Sequence, residues 1–406
     1  MGKKMGIEEK IVTVVLLAVV LAGCVMGRAY SYADELISSV GREVGIIKEE
    51  MPAYEVTVQS FLSDLPFKQC LINLNGNLAK NLGLREIYQK KGGIVMENGY
   101  VAGIYSLTTT DYEIEQIAAL KDFLDERVIQ LLYVNEPTKY FNDDVVKNEL
   151  GRYTFVNSNT DRFLERLDDI GVHYIDLREN YSAMGLDSFD FFYKTDHHWT
   201  VPAGKIAAEA IAAELNAYYG YHIDLSLYDD NRFAVTHYEN AWLGEQGKKL
   251  GVSFVGMDDF DLVLPDYATD YTVYYMNGSI MQGSFGEALV NQEIFMPENN
   301  LDVYGATSWH YSYMPEGVIE STVVNHGNTE GKRVLVLGDS YEQITVPFLS
   351  LGISEIQTLV LRDFDESLEE YIDSRDIDTV IIAYASFMIG AHDNEASANY
   401  NMFHFR

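Results

Sequence analysis

From about residue 112 onwards, apolar positions alternate between helix spacing and short unbroken runs. Ile114, Ile117, Ala118, Phe123 and Leu124 recur at helical spacing, which predicts a helix beginning near Tyr112. The run from Val128 to Val134 then predicts a strand. Leu164, Leu167 and Ile170 form the next helical stripe, closed by Gly171 as a cap, and Val172 to Leu177 returns to strand character. The same rhythm fills the last third of the chain. Val334-Leu335-Val336-Leu337 is apolar throughout and suits a strand buried on both faces of a parallel sheet. A helix is expected over Tyr341 to Leu349 and a strand over Ile356 to Leu361. Leu368, Tyr371 and Ile372 share a helix face, and Thr379 to Tyr384 reads as a closing strand. Strand, helix and strand at these spacings imply parallel βαβ units, so the fold class is α/β, with both ends of the pattern sharing one mostly parallel sheet.

Between them, residues 220–330 are rich in Tyr, Asp, Asn and Gly, and short runs such as Tyr271 to Met276 predict a β-rich insertion. Upstream, Ile94-Val95-Met96 lies between the turn pairs Gly92-Gly93 and Asn98-Gly99, which predicts small β elements. Asn73 to Asn77, with Gly76, reads as a loop.

The N-terminus has a different pattern. Lys3, Lys4 and Lys10 precede an apolar run from Ile11 to Val20 that continues into Leu21-Ala22-Gly23-Cys24. The run is short for a membrane span but has the length of a signal sequence core. Leu-Ala-Gly-Cys resembles the lipobox of bacterial lipoproteins, which makes Cys24 a candidate for lipidation. An uncleaved signal anchor is the alternative, and Glu8 and Glu9 fit the basic flank poorly. Both readings tether residues 28 onwards to the membrane, outside the cytoplasm. Leu36, Val40, Val44 and Ile47 predict an amphipathic helix beside the membrane, ending near Pro52, so 28–90 is read as juxtamembrane helix and linker.

Composition narrows the classes. At 47% hydrophobic residues over 406, the chain builds a folded core despite a net charge of -33. That charge repels a phosphate backbone, so no nucleic-acid partner is expected. Only Cys24 and Cys70 are present, which leaves no disulfide framework and no thiolate metal site. Cys70, in Gln69-Cys70-Leu71-Ile72, is expected to be a buried, inert thiol.

Two clusters carry candidate chemistry. Gly338-Asp339-Ser340 follows the apolar strand directly and precedes a helix. Open α/β sheets bind ligands beyond the carboxyl ends of their strands, and a helix start offers unpaired N–H groups to a developing negative charge. Ser340 is therefore a candidate nucleophile, although all three residue types also favour plain turns. The second cluster is Asp196-His197-His198-Trp199, before a helix that Thr200 caps and Pro202 enters. Asp196 and His198 are two apart, so on extended backbone they point the same way and His197 points elsewhere. A carboxylate so placed holds an imidazole's Nδ1–H and frees Nε2 as a base. The histidines, with His173, His222, His237, His310 or His326, could instead bind a metal, but no metal-site spacing such as H-E-x-x-H is present. A purely structural loop around a core Trp199 is the third reading.

Taken together, Asp196-His197-His198-Trp199 and Gly338-Asp339-Ser340 resemble the DHHW family, the alginate O-acetyltransferase-like branch of the SGNH (GDSL) hydrolases. That family places its Asp-x-His-Trp motif upstream and its Gly-Asp-Ser block near the C-terminus, the reverse of ordinary SGNH enzymes. Tyr193-Lys194-Thr195, Pro347-Phe348-Leu349 and Asp378-Thr379-Val380 extend the likeness over roughly 90–406. The resemblance implies an SGNH-like (flavodoxin-like) three-layer catalytic domain over 91–406, with Ser340 as nucleophile, His198 as general base and Asp196 orienting it. Gly338 and Asp339 would form the strand-end turn, with Asp339 bracing it. His197 and Trp199 would support the motif. It further implies an O-acetyltransferase acting on a polysaccharide outside the cytoplasm, without cofactor or metal. A multipass membrane acyltransferase would supply the acetyl group. An esterase with the same triad and a non-catalytic polysaccharide-binding surface protein are the alternatives. Trp242-Leu243-Gly244 corresponds loosely to a Gly-rich family segment, and Trp242, Trp309 and the tyrosines are candidate stacking surfaces for sugar rings.

Overall fold

The five apolar runs expected as strands pair with one another in a computed structural model of the chain, which describes residues 68–87, 93–328, 331–390 and 399–405. The chain divides into two compact units, 1–68 and 69–406, and all described residues but Lys68 lie in the second. Cys24 and the amphipathic helix expected over 28–60 lie outside the described residues. No helix among the described residues is long and apolar enough to cross a membrane.

In chain order, helix α1 (Lys68–Asn81) is followed by a small antiparallel sheet of β1 (Glu86–Ile87), β2 (Gly93–Val95) and β3 (Val101–Gly103). Then come α2 (Asp111–Asp125), β4 (Gln130–Glu136), α3 (Val156–Asp169), β5 (Tyr174–Asp176) and α4 (Val201–Tyr218). The insertion supplies β6 (Phe233–Trp242), β7 (Asp258–Pro265), β8 (Tyr271–Tyr275), β9 (Ile280–Gly283) and β10 (Glu320–Asn325). The last third holds β11 (Arg333–Leu337), α5 (Glu342–Leu349), β12 (Glu355–Leu359), α6 (Leu368–Asp373) and β13 (Thr379–Ala385).

Among the described residues the main sheet has eight strands in the order β5-β4-β13-β11-β12-β10-β8-β9. The pairs from β5 to β12 are parallel; β10, β8 and β9 add on antiparallel at the far edge. The β insertion is therefore partly an extension of the main sheet, with β6 and β7 forming a separate hairpin. Counted from β11 as the first strand, the parallel part reads 2-1-3-4-5, the flavodoxin-like order. Counted from the N-terminus it reads 2-1-5-3-4. The chain is thus a circular permutation of that order, opened between its third and fourth strands, with the insertion in the joint between the fifth and the first.

Several expectations need correction. Asn73 to Asn77 belongs to helix α1, where Gly76 is needed because a Cβ there would sit 2.2 Å from the carbonyl oxygen of Leu250. The glycine that suggested a loop marks a close helix contact. Cys70 is exposed rather than buried. The apolar residues after it misled, since Leu71, Leu74 and Leu78 on the same helix are exposed too. Trp242 and Trp309 are both core residues: Trp309 packs edge-on against Phe260 and Phe295, and Trp242 against Tyr193. Neither offers a face to a sugar.

Candidate active site

Ser340 stands where the sheet order reverses. Its strand β11 has β12 on one side and β13 on the other, so the crevice beyond its carboxyl end opens between diverging connections. The turn is held at each residue. Gly338 N–H donates to Leu359 O at 3.0 Å, and a Cβ on Gly338 would lie 2.4 Å from Cγ of Glu342. Asp339 is buried and braces the turn: its Oδ1 accepts from Tyr341 N–H at 2.9 Å and its Oδ2 from Ala385 N–H at 3.0 Å. Burial pushes its carboxyl up, only partly offset by those two donors. The N–H groups of Glu342 and Gln343 turn back to Asp339 O and Ser340 O, whereas that of Ser340 makes no hydrogen bond among the described residues.

The Asp-His-His-Trp block reaches this point as a loop closed at its base. Phe192 and Trp199 form an antiparallel bridge, and Tyr193 N–H donates to His198 O at 3.1 Å. Trp199 is fully buried. Its indole N–H donates to Tyr341 O at 3.3 Å, and its ring packs 4.9 Å from that of Tyr341. It thereby fastens the loop to the serine turn. Thr200 caps α4, accepting from Ala203 N–H at 3.3 Å, with Pro202 in the first turn.

Within the loop, Asp196 Oδ1 accepts from His198 Nδ1–H at 2.6 Å and from His198 N–H at 3.2 Å. The second contact means the pair meets through a turn, not through the extended alternation expected from their spacing. Asp196 Oδ2 accepts from Glu245 N–H at 2.8 Å. Burial alone would raise this carboxyl, but the imidazoles of His198 and His197 and the donated hydrogen bonds hold it well below the usual carboxylate range. Across the gap, Ser340 Oγ–H donates to His198 Nε2 at 2.7 Å. Ser340, His198 and Asp196 are therefore one hydrogen-bonded chain, with base and carboxylate buried.

His197 does not turn away. Its ring lies 3.9 Å from that of His198, while its side chain stays 39% exposed at the rim. Asp196, His197 and His198 together place possible ligand atoms within 4.8 Å of one another. Both nitrogens of His198 are already engaged, so the arrangement fits a relay and not a metal.

Three contributors were not foreseen as site residues, and all lie in the insertion. Glu245 acts through its backbone N–H, which has no side-chain signature. Asp258 accepts from Thr195 N–H at 2.8 Å, and also from Lys194 N–H and the Thr195 hydroxyl. His310, considered only as a distant metal ligand, lies 3.7 Å from His198 ring to ring. The one available signal was its place in the aromatic run Trp309-His310-Tyr311-Ser312-Tyr313.

Residues 107–239 match the family model for the SGNH hydrolase-like domain of acetyltransferase AlgX, a span that holds the Asp-His-His-Trp block and stops short of Ser340. No curated protein matches the chain in sequence. Among solved structures, PatB1 of Bacillus cereus is 20% identical with a TM-score of 0.59, covering 79% of this chain and 100% of its own. A second PatB1 structure, bearing a sulfonyl adduct, is 18% identical at the same TM-score, covering 77% and 99%. A DHHW family protein from Eubacterium siraeum is 14% identical with a TM-score of 0.55, covering 78% and 97%. Over 107–239 the chain thus resembles the SGNH hydrolase-like domain of acetyltransferase AlgX, and over about three quarters of its length it shares the fold of PatB1 and the DHHW family protein.

Proposed function

We propose that this protein transfers acetyl groups to a polysaccharide through an acetyl-Ser340 intermediate. The observation that carries the reading is the unbroken relay from Ser340 Oγ through His198 to Asp196, with contacts of 2.7 and 2.6 Å. His198 Nε2 takes the Ser340 proton as Oγ attacks the carbonyl of an acetyl ester. The resulting oxyanion meets the unpaired N–H of Ser340, and a donor of this kind contributes on the order of 3 kcal/mol in comparable sites. The bond to the leaving oxygen breaks as His198 returns the proton to it. An acceptor hydroxyl then gives its proton to Nε2 and attacks acetyl-Ser340, and as the acyl–oxygen bond breaks Nε2 returns that proton to Ser340 Oγ. Asp196, held ionised, stabilises the imidazolium at both stages.

The family match favours acetyl transfer over other acyl chemistry. Tyr311, 38% exposed with its ring 6.0 Å from that of His198, supplies an aromatic edge at the rim for a sugar. The lysine-flanked apolar N-terminus supports a site tethered outside the cytoplasm, where a membrane acyltransferase would supply the acetyl group. The protein is tested on p-nitrophenyl acetate beside Ser340→Ala, with an added oligosaccharide acceptor. Wild-type turnover no faster than that of the variant refutes the enzyme. Free acetate appearing faster than acetylated oligosaccharide makes it an esterase.

A further inference from the structure

His310 reaches the site from the insertion and touches both reacting residues. Its ring is nearly parallel to that of His198, 12° between planes at 3.7 Å between centroids, and the ring of His197 lies 3.9 Å from His198 at 36°. Two rings cannot both lie within 4 Å over one face, so the base is held between them. The edge of His310 is also committed: its Nε2–H donates to the carbonyl of Ser340 at 2.6 Å. That bond fixes the tautomer and leaves the lone pair on Nδ1, which is buried and has no partner. A buried acceptor left without a donor is destabilising. A phenylalanine would provide the same flat face without that cost, and a glutamine the same donor without the face. A side chain of this size that supplies both at once is histidine.

We propose that His310 is a positioning residue for the Ser340–His198 pair, one ring fixing both the plane of the base and the main chain of the nucleophile. The inference rests on the acyl-transfer reading and adds to it the residue that aligns its two partners. Burial and the neighbouring His198 both oppose protonation of His310, so the ring stays neutral and sets no second positive charge against the imidazolium formed in the reaction. The groups facing His198 are Asp196 and His197 from its own loop, His310 and Tyr311 from the insertion, and Asp339, Ser340 and Tyr341 from the serine turn.

The test uses the full chain and phenylmethanesulfonyl fluoride, following sulfonylation of Ser340 by intact mass across pH, with p-nitrophenyl acetate kinetics alongside. His310→Phe keeps the stack and loses the donor; His310→Gln does the reverse. Each is expected to slow sulfonylation and lower kcat by about 10–100-fold per folded molecule, since misplacement by an ångström costs this much. KM should hold, and the apparent pKa of the pH–rate profile should move. Folded fraction is read from circular dichroism, so a loss that only tracks unfolding, with an unmoved profile, overturns the proposal. So do variants within twofold of wild type. Wild-type protein that is not modified at Ser340 overturns the acyl-transfer reading as well, which separates the two failures.

Discussion

Asp196→Asn changes one acceptor into a donor inside a site where every contact is a donor pointing inward. One oxygen position receives His198 Nδ1–H at 2.6 Å and His198 N–H at 3.2 Å; the other receives Glu245 N–H at 2.8 Å. An asparagine has two ways to fit. With its NH2 towards Glu245, two donors face each other at 2.8 Å in a buried site. With its NH2 towards His198, the opposed backbone N–H is farther away, at 3.2 Å, and Nδ1 can relieve the other clash by giving up its proton. The second fit is the milder one, and it forces the proton onto Nε2. His198 then has no lone pair for Ser340. The variant should fold with a loss of about 1–3 kcal/mol for the remaining donor mismatch. Its turnover should fall by roughly 10³–10⁴, the scale seen when a triad carboxylate elsewhere is made an amide.

The assay pairs urea denaturation with p-nitrophenyl acetate kinetics, and nitrogen-15 spectra of the imidazoles report which ring nitrogen bears the proton. Asp196 also carries a pH signature. Its folded-state pKa is depressed, so the stability it contributes is present above the unfolded value near 4 and is lost as pH falls through the folded one. Asparagine removes that acid-side loss. A folded variant within tenfold of wild-type turnover, or one whose Nε2 stays unprotonated, refutes the argument.

Three further outcomes follow from the same geometry. Glu342 and Glu136 are buried side by side, burial lifting both and pushing Glu342 up to about 8, so the fold holds a proton that the unfolded chain releases above about pH 4.5. Wild-type stability should therefore decline between about pH 4.5 and 8, and Glu342→Gln should flatten that decline by up to about 1.4 kcal/mol per pH unit in chemical denaturation; parallel curves would exclude it. Gly338→Ala puts a methyl group 2.4 Å from Cγ of buried Glu342 and should cost about 1–3 kcal/mol by overpacking, read as a shifted denaturation midpoint. Asp258→Asn turns an acceptor of two backbone N–H groups and a hydroxyl into a mismatched amide, loosening the Lys194–Thr195 approach to the triad. It should lower kcat at least tenfold with little change in KM, and an unchanged kcat would show that the loop holds without it.

How far these parts were legible in the sequence depends on the kind of signal each leaves. The strands β4, β11 and β13 carry apolar runs because they lie inside the sheet with both faces buried, and such runs are readable. Ser340, His198 and Asp196, which the structure joins by hydrogen bonds, stood out as candidates because their residue types are rare in that combination at strand and helix ends. The insertion was legible only as β-rich: its longest strand, β6, is largely exposed, and what it gives the site is either a backbone N–H, as at Glu245, or a lone side chain without periodic context, as at Asp258 and His310. Gly76 and Cys70 failed for another reason. A glycine or a cysteine reports its environment only through what it touches, and the partners of α1, such as Leu250 and Ser253, lie far away in sequence.

The permutation and the insertion are two sides of one arrangement. Counted from β11, the histidine motif follows the fifth strand, as it would in a chain that began at the serine, so its upstream position requires only that the chain be cut elsewhere. The cut moves the joint between fifth and first strands into the middle of the sequence, and there the joint must run from α4 back to β11 across the mouth of the site. Outside the insertion, the loop from Lys194 to His198 is held at its Phe192–Trp199 base and through the carbonyls of Lys194 and His197, which accept from Val101 N–H and the Tyr341 hydroxyl. The insertion in that joint presents Glu245 N–H to Asp196, Asp258 to Lys194 and Thr195, and His310 to both His198 and Ser340. It contacts His198 and Ser340 through His310, while Trp199 and Tyr341 fasten the loop to the serine turn from the core. The alignment of the relay therefore depends on the parts of the insertion around Glu245, Asp258 and His310, which lie outside the eight-stranded sheet.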